Sequence, residues 1–433
     1  VMEAATIFFE RELAEHGPAR QYLISRGISD QTIKDWRIGY APSPPSGRWR
    51  LLYNHLGGLG YEKGLIIKAG LIKSSDTSVD AEPYDVFRDR LIFPLADPNG
   101  RIIAFSGRAL SKETEPKYLN SADTLLFTKS EVLYGLDKAK DQIRKKDYAV
   151  LVEGQIDLVL SHQAGVQNSV ASSGTAFTPA HLERLKRLSS RIIIAFDGDK
   201  AGQTAAEKAS KLGLALGLEV KVANLPENQD PAEIVEKNPK EWRDILRQSL
   251  PAVEFFLNRI EEKEKDPRKL GQQIEKRILP LVKLIGSAIE QSHFVSMIAK
   301  RTGIKEEILW EDLRKKVKEP LVSTPSDLRG QETDNKVFLP SHREQIEERL
   351  AEIKLWRKEL QASAPETLIL KKEEIELLGN LSAVSLRDNL SRLLSELSHA
   401  EASKDNRSIM DLTHRIQAVH AKMRALEEKR KML

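Results

Sequence analysis

Residues 191–199 read Arg-Ile-Ile-Ile-Ala-Phe-Asp-Gly-Asp, an apolar β-rich run that stops at two carboxylates, Asp197 and Asp199, spaced by Gly198. Asp199 alone has a plain structural use, as the N-cap of a helix beginning near Ala201. Asp197 does not, because a carboxylate directly after five apolar residues seldom helps a strand. The pattern recurs on both sides. Ala149-Val150-Leu151-Val152 stops at Glu153-Gly154 and is followed by Asp157, and Val220 to Leu225 leads into Asp230-Pro231. Around these runs strand and helix patterns alternate: 148–153, 155–164, 166–171, 179–189, 191–197, 201–216, 219–225 and 231–237. Such alternation predicts βαβ units around a parallel sheet. In an open parallel sheet the strand ends share one edge, where ligands bind. Glu153 by itself suits the first turn of a helix, but five acids at one edge repel one another unless a cation sits among them. Hard oxygen ligands suit Mg²⁺, with Mn²⁺ as an alternative.

The 433 residues give a length prior of about three domains. A 40% hydrophobic share with 30% charged residues describes a globular, surface-rich chain, and a net charge of +4 permits nucleic-acid binding without demanding it. There is no cysteine, which removes disulfides, thiolate catalysis and cysteine-type zinc sites from this chain and fits a reducing cytosol. The nine histidines lack ligand spacing. No apolar stretch reaches the ~18 residues of a membrane span, and the start carries Glu3 where a signal peptide carries Lys or Arg. A cytoplasmic location is the expectation, and a first residue of Val1 reads as the start of a piece of something longer.

Residues 1–147 read as a mixed α/β region. Residues Ala4 to Leu23 carry apolar positions at helical spacing, Gly27 ends the helix around Arg20 to Arg26, and Pro42, Pro44, Pro45 and Gly47 make a loop. Asp97-Pro98-Asn99-Gly100 between two β-rich runs predicts a hairpin, because Asn-Gly tolerates positive φ. The other divisions are 148–245 for the sheet with the acids, 246–318 helical, 319–340 a polar linker and 341–433 a separate helical region. In the last, Leu386, Leu390, Leu393, Leu394 and Leu397 make one stripe. Ile409, Leu412, Ile416, Val419, Met423 and Leu426 make another at three-four spacing, with Lys404-Asp405-Asn406 turning the chain between them.

Three segments carry a resemblance. Val152-Glu153-Gly154-Gln155-Ile156-Asp157, Ala171-Ser172-Ser173-Gly174-Thr175-Ala176 and Phe196-Asp197-Gly198-Asp199-Lys200-Ala201-Gly202 resemble the Toprim domain in residues, order and spacing. The upstream runs Phe87 to Pro94, Phe105 to Arg108, Pro116 to Ser121, Leu133 to Leu136, Tyr22 to Ile28 and Ile38 to Pro42 narrow it to the bacterial DnaG-type DNA primases, over about residues 4–318. The implied fold is α/β: a Toprim-type parallel-sheet core, an amino-terminal mixed α/β subdomain and carboxy-terminal helical regions. The implied activity is DNA-dependent synthesis of short RNA primers on single-stranded DNA, by nucleotidyl transfer from ribonucleoside triphosphates.

The same resemblance implies residue roles. Glu153, Asp197, Asp199 and Asp230 hold Mg²⁺. Glu153 either ligates metal or polarises the nucleophile, and Asp157 orients it or supports a second metal. Arg26, Arg88, Arg108, Lys117 and Lys129 hold template, primer or triphosphate, since Arg makes bidentate phosphate contacts and Lys serves as a point charge. Asn120 orients a neighbour or contacts the nucleic acid. Residues 341–433 would dock a DnaB-type replicative helicase, with simple hairpin packing or self-association as the plainer reading. Two departures stand out. The family's Asp-Pro-Asp is Asp230-Pro231-Ala232-Glu233 here, which leaves open whether Glu233 replaces the missing carboxylate, and a chain without cysteine cannot contain the family's zinc ribbon. The rival readings are a Toprim nuclease or topoisomerase, a haloacid-dehalogenase-type phosphatase, which expects Asp-x-Asp-Gly-Thr and is poorly fitted by Gly198 and Lys200, and a non-catalytic replication scaffold.

Overall fold

The computed structural model describes residues 1–42, 49–73, 83–111, 114–172 and 176–314, with 393, 411–412, 415–416 and 418–419 beyond them. Ser173 to Thr175, the Pro44-Pro45-Gly47 loop, the 319–340 linker and the Lys404-Asp405-Asn406 turn lie outside the described residues. The chain divides into two units, Val1–Lys318 and Glu319–Leu433. In the second, Leu393, Leu412, Ile416 and Val419 are buried, as the two apolar stripes require, and Asp411 pairs with Arg415 one turn on. No helix among the described residues is long and apolar enough to cross a membrane.

The first unit is built on two main sheets. The first is a mostly parallel sheet whose neighbours, in spatial order, are Leu250–Pro251, Glu219–Val222, Arg191–Ile194, Ala149–Val152 and Ser169–Ala171. All pairs are parallel except the edge pair of Leu250–Pro251 with Glu219–Val222. An edge suits Pro251, which has no N–H to donate; the sequence pattern places that residue at a helix start instead. The helices Gln155–Gln163, Pro179–Lys186, Lys200–Ala215 and Pro231–Lys237 follow the strands where the alternation predicts them.

Ala149–Val152 and, beyond the exposed Arg191, Ile192–Ile194 are apolar on both sides because both faces are covered, whereas Glu219–Val222 alternates charged and buried apolar positions. Leu151, Ile192, Ile194, Val220 and Val222 join a core with the helices Ala252–Lys263, Leu279–Leu284 and Ala288–Thr302. Val150, Val152, Ile193 and Ala195 join a different core. That second core also contains Leu13, Leu23, Trp36, Tyr40, Leu91 and Phe93, so buried packing runs straight across position 147. An isolated bridge between Tyr134 and Ala171 adds a backbone tie.

The amino-terminal region holds the other sheet, fully antiparallel, in the order Gly39–Ala41, Arg90–Ala96, Ile102–Ala109 and Tyr118–Asn120. Its central hairpin turns at the predicted place. Only Gly100 takes positive φ, at 85°, and Asp97 closes the turn by accepting from the amides of Asn99 and Arg101. The strand register slips between Leu95 and Ala96, so a bulge replaces the tight Asn-Gly turn. The helical spacing from Ala4 to Leu23 falls into two helices, Met2–Glu15 and Gly17–Ser25. Pro18 cannot donate into a continuing helix, while His16 caps the new one by accepting from Ala19 N–H.

Candidate active site

Glu153 and Asp197 owe their places to strand ends, and the turn around Asp197 and Asp199 is one that only glycine fits. Glu153 follows Val152 directly, and Oε1 accepts from Asp197 N–H at 3.4 Å, which ties two neighbouring strand ends together. The strand carrying Asp197 ends at Ile194, three residues sooner than expected, although Ala195 N–H still reaches Leu151 C=O. Beyond it the chain passes under its neighbours so closely that a Cβ on Gly198 would stand 2.1 Å from Pro226 O, and one on Gly202 2.3 Å from Asp197 O. These contacts explain the glycines of the Asp-Gly-Asp-x-x-Gly pattern more directly than flexibility does.

Asp199 and Asp230 both use the structural option that sequence allows them. Each caps a helix, with Oδ1 accepting from Gly202 N–H and Glu233 N–H respectively, both at 2.7 Å. The second oxygen of each remains for another partner. Asp157 is more fully engaged: Oδ2 accepts from Gly154 N–H at 3.0 Å and Oδ1 from Ala232 N–H at 3.2 Å. It is therefore a buried strut that joins two helix starts. Ala232 itself is buried, so its position receives support from Asp157 rather than supplying a carboxylate, and Glu233 beside it is half-buried.

The electrostatics are those of an uncompensated acidic site. Burial, with Asp230 and Asp197 nearby, pushes the Asp157 carboxyl up to about 7. Burial and the charges of Glu153, Asp230 and Asp199 push Asp197 up to about 7, against a small opposing effect of Lys117. Burial, then Asp157 and Asp199, raises Glu153. Asp197 Oδ1 is buried without a hydrogen-bond partner. Among the described residues no three Asp, Glu or His side chains close on one ligating point. Like charges stand apart when nothing neutralises them, and three of the four carboxylates proposed as ligands also have backbone amides to satisfy. An all-oxygen donor set with one orphaned buried oxygen fits a hard divalent cation.

The antiparallel sheet brings its polar groups to this edge. Gln155, in the first turn after Glu153, donates to Ser106 at 2.7 Å, and both residues are buried. Lys117, exposed and just before the strand Tyr118–Asn120, is the cation that acts on Asp197. Arg108 donates to Tyr118 Oη at 2.8 Å, with its guanidinium 5.4 Å from the ring centres of both Tyr22 and Tyr118. Burial pushes the Tyr118 phenol up to about 12, with Asp157 adding to the effect.

The remaining candidates are placed differently. Arg88 stacks on Trp49 and Tyr84 and donates to Asp85 C=O, so these partners lie within the amino-terminal region. Arg26 follows the Gly17–Ser25 helix, half-buried, with Nε unpartnered. Lys129 is half-buried, its amide donating to Asp123, and Asn120 pairs with Ser106 in the sheet register. Sequence reading passed over Arg90, which is 4% exposed and donates to Gly107, Glu115 and Pro116 carbonyls, fixing the segment that presents Lys117. It also passed over Tyr22, Tyr118 and Gln155. The available signal was their place inside the quoted motifs.

Two family models match the chain: "DNA primase catalytic core, N-terminal domain" over residues 8–140 and "Toprim-like" over residues 150–235. A DNA primase domain from Pseudomonas aeruginosa, solved by crystallography, is 33% identical with a TM-score of 0.61, covering 72% of this chain and 98% of its own. The chain belongs to the DnaG-type DNA primase family. Among DnaG-type relatives, the DNA primase of Clostridium acetobutylicum is 34% identical over 314 residues, 72% of this chain and 50% of the relative. That of Escherichia coli K12 is 32% identical over 332 residues, 75% of this chain and 56% of the relative. The chain thus spans about half the length of the curated relatives it matches. A DnaG primase catalytic domain bound to single-stranded DNA is 30% identical, with a TM-score of 0.61, and 96% of it is covered.

Proposed function

We propose that this chain synthesises short RNA primers on single-stranded DNA, with ribonucleoside triphosphates as substrates. The observation that carries the reading is the Glu153–Asp197 junction. Two strand ends hold acids together beside an orphaned carboxylate oxygen, and Lys117 approaches from a basic sheet.

Glu153, Asp197, Asp199 and Asp230 are the residues that would hold Mg²⁺, with Mn²⁺ as a substitute. When bound, the ion lowers the pKa of the attacking hydroxyl and neutralises charge on the departing pyrophosphate. The 3′-oxygen forms a bond to the α-phosphorus as the bond to the β-phosphate oxygen breaks. Glu153 serves either as one of these ligands or, with its raised proton affinity beside Asp197, as the group that takes the hydroxyl proton. Asp157 keeps the turns before and after the sheet in register and does not meet substrate. Lys117 supplies a point charge to phosphate. Arg108, held on Tyr118 and Tyr22, presents its planar guanidinium to phosphate or a base. Arg26, Arg88, Lys129 and Asn120 extend the contacts along the template, with salt-sensitive affinity. A relative with the same catalytic fold was solved with single-stranded DNA, which supports this choice of template.

The test is a template-dependent RNA synthesis assay. Asp197→Ala should lower primer yield by at least ~10³-fold and leave template affinity within about twofold of wild type; retained synthesis refutes the assignment. Residues 341–433 form a separate proposal, docking on the replicative helicase. Deleting them should spare primer synthesis and abolish helicase pull-down, and unchanged pull-down rejects it.

A further inference from the structure

A cleft of about 730 Å³ opens beside Glu153, on the side of the parallel sheet away from Lys117. Its walls belong to the core shared with Leu151 and Ile192, whereas the antiparallel sheet packs in the core of Val150 and Val152. The floor is one face of the helix Lys200–Ala215. Ala201, Ala205 and Ala209 recur every four residues and leave the backbone open to close approach. Phe177 and Phe196, stacked 5.6 Å apart, form the wall next to Glu153. Along the rim stand Lys200 and Lys208, both exposed, and neither is ion-paired among the described residues.

We propose that this cleft holds the sugar–phosphate backbone of the growing RNA strand behind its reacting end, with Lys200 and Lys208 as its phosphate contacts. The inference rests on the primer-synthesis reading. The two lysines are eight residues apart, about 12 Å along the helix axis. That length is about three to four times the ~3.4 Å per-strand spacing of a duplex axis, farther than the three directly linked phosphates of one triphosphate reach. Lys200 lies next to Asp199, so it meets the strand close to the reacting end, and Lys208 meets it two turns farther on. On the primer-synthesis reading Lys117 and Arg108 take the template at the antiparallel sheet, which packs on the other face of the parallel sheet. A floor made mostly of alanines, with Thr204 beside them, favours contact with a backbone of any sequence, as a growing primer requires.

Lys208→Glu tests this, because a strand reaches Lys208 only after several nucleotides have been added. Formation of the first dinucleotide should stay within about twofold of wild type, while products longer than about four nucleotides fall by about tenfold. Lys211→Ala on the same helix, where the lysine pairs with Glu207 away from the cleft, should leave product lengths unchanged. A second arm needs no catalysis. Without Mg²⁺, Lys208→Glu should weaken binding of an RNA-primed template and spare bare single-stranded template. Unchanged product lengths, equal loss of dinucleotide and long product, or equal weakening of both nucleic acids would each overturn the inference. An inactive wild type would count against primer synthesis itself, and the binding arm would still decide the cleft.

Discussion

The acidic edge and the basic sheet beside it are assembled on opposite electrostatic terms. In the antiparallel sheet and the segment leading into it three arginines are already engaged: Arg90 by three carbonyls, Arg88 by two aromatic faces and a carbonyl, Arg108 by two tyrosines. At the acidic edge the carboxylates raise one another's pKa and Asp197 retains an orphaned oxygen. The cations are therefore pre-organised, and the anions are held in a state that a bound cation would relieve. Stability and function separate along that line. Changes in the basic sheet should cost both, whereas removing a carboxylate should cost function and leave the fold firmer.

The sharpest way to break this contrast is to change how the edge is held rather than its charge. Gly198→Ala puts a methyl 2.1 Å from Pro226 O, a backbone atom that cannot swing aside. It should cost at least ~3 kcal/mol, read by urea denaturation, and abolish synthesis as well. Arg90→Lys replaces a guanidinium fork with a single ammonium in a buried setting. A loss of about 2 kcal/mol with about tenfold slower synthesis is expected, and unchanged stability would show that the carbonyls around Arg90 find other donors.

Asp197→Asn carries the opposite sign. Its folded pKa, about 7, lies above the unfolded value, so the aspartate destabilises the fold progressively as pH rises from ~4 through 7. In EDTA at pH 8 the variant should melt higher, by about 1 kcal/mol once solvent screening of this half-buried group is allowed for. The gap should close at pH 5, and added Mg²⁺ should raise the melting temperature of wild type more than that of the variant. His162 gives the reverse pH limb. Burial holds it down at about 4, with the ring edge-on to Trp36 and bonded to Ser169 C=O, so its contribution is intact above ~6.5 and lost as pH falls. Between pH 7 and 5 the wild type should lose about 2 kcal/mol from this group. His162→Gln should flatten that limb, measured as the difference between urea midpoints at the two pH values.

Much of the parallel sheet was legible because an apolar run that ends in a polar turn is a local signal. The strands at 149–152 and 191–194 and the helices at 155–163 and 231–237 lie within their expected spans. The hairpin at Asp97 to Gly100 was legible for the same reason, and its bulge was not, since register depends on the partner strand. The split at Pro18 falls inside an apolar periodicity that runs through it and does not mark the break. The acids themselves were named from the chain, but their division of labour was not. Asp157 reads as a catalytic candidate in sequence, and nothing local signals that its Oδ1 would be taken by the amide of Ala232, 75 residues away, while Oδ2 accepts from the nearby Gly154.

What the chain determines by itself, then, is the order of strands and helices, the acids at their junctions and the absence of thiolate chemistry. These depend on residue type and short-range spacing. Tertiary structure alone decided that Gln155 would meet Ser106, that Arg90 would brace the segment before Tyr118, and that Lys117 would approach Asp197. Each of those contacts joins residues 25 or more positions apart, and no local preference encodes a distance that only the packing of two sheets creates.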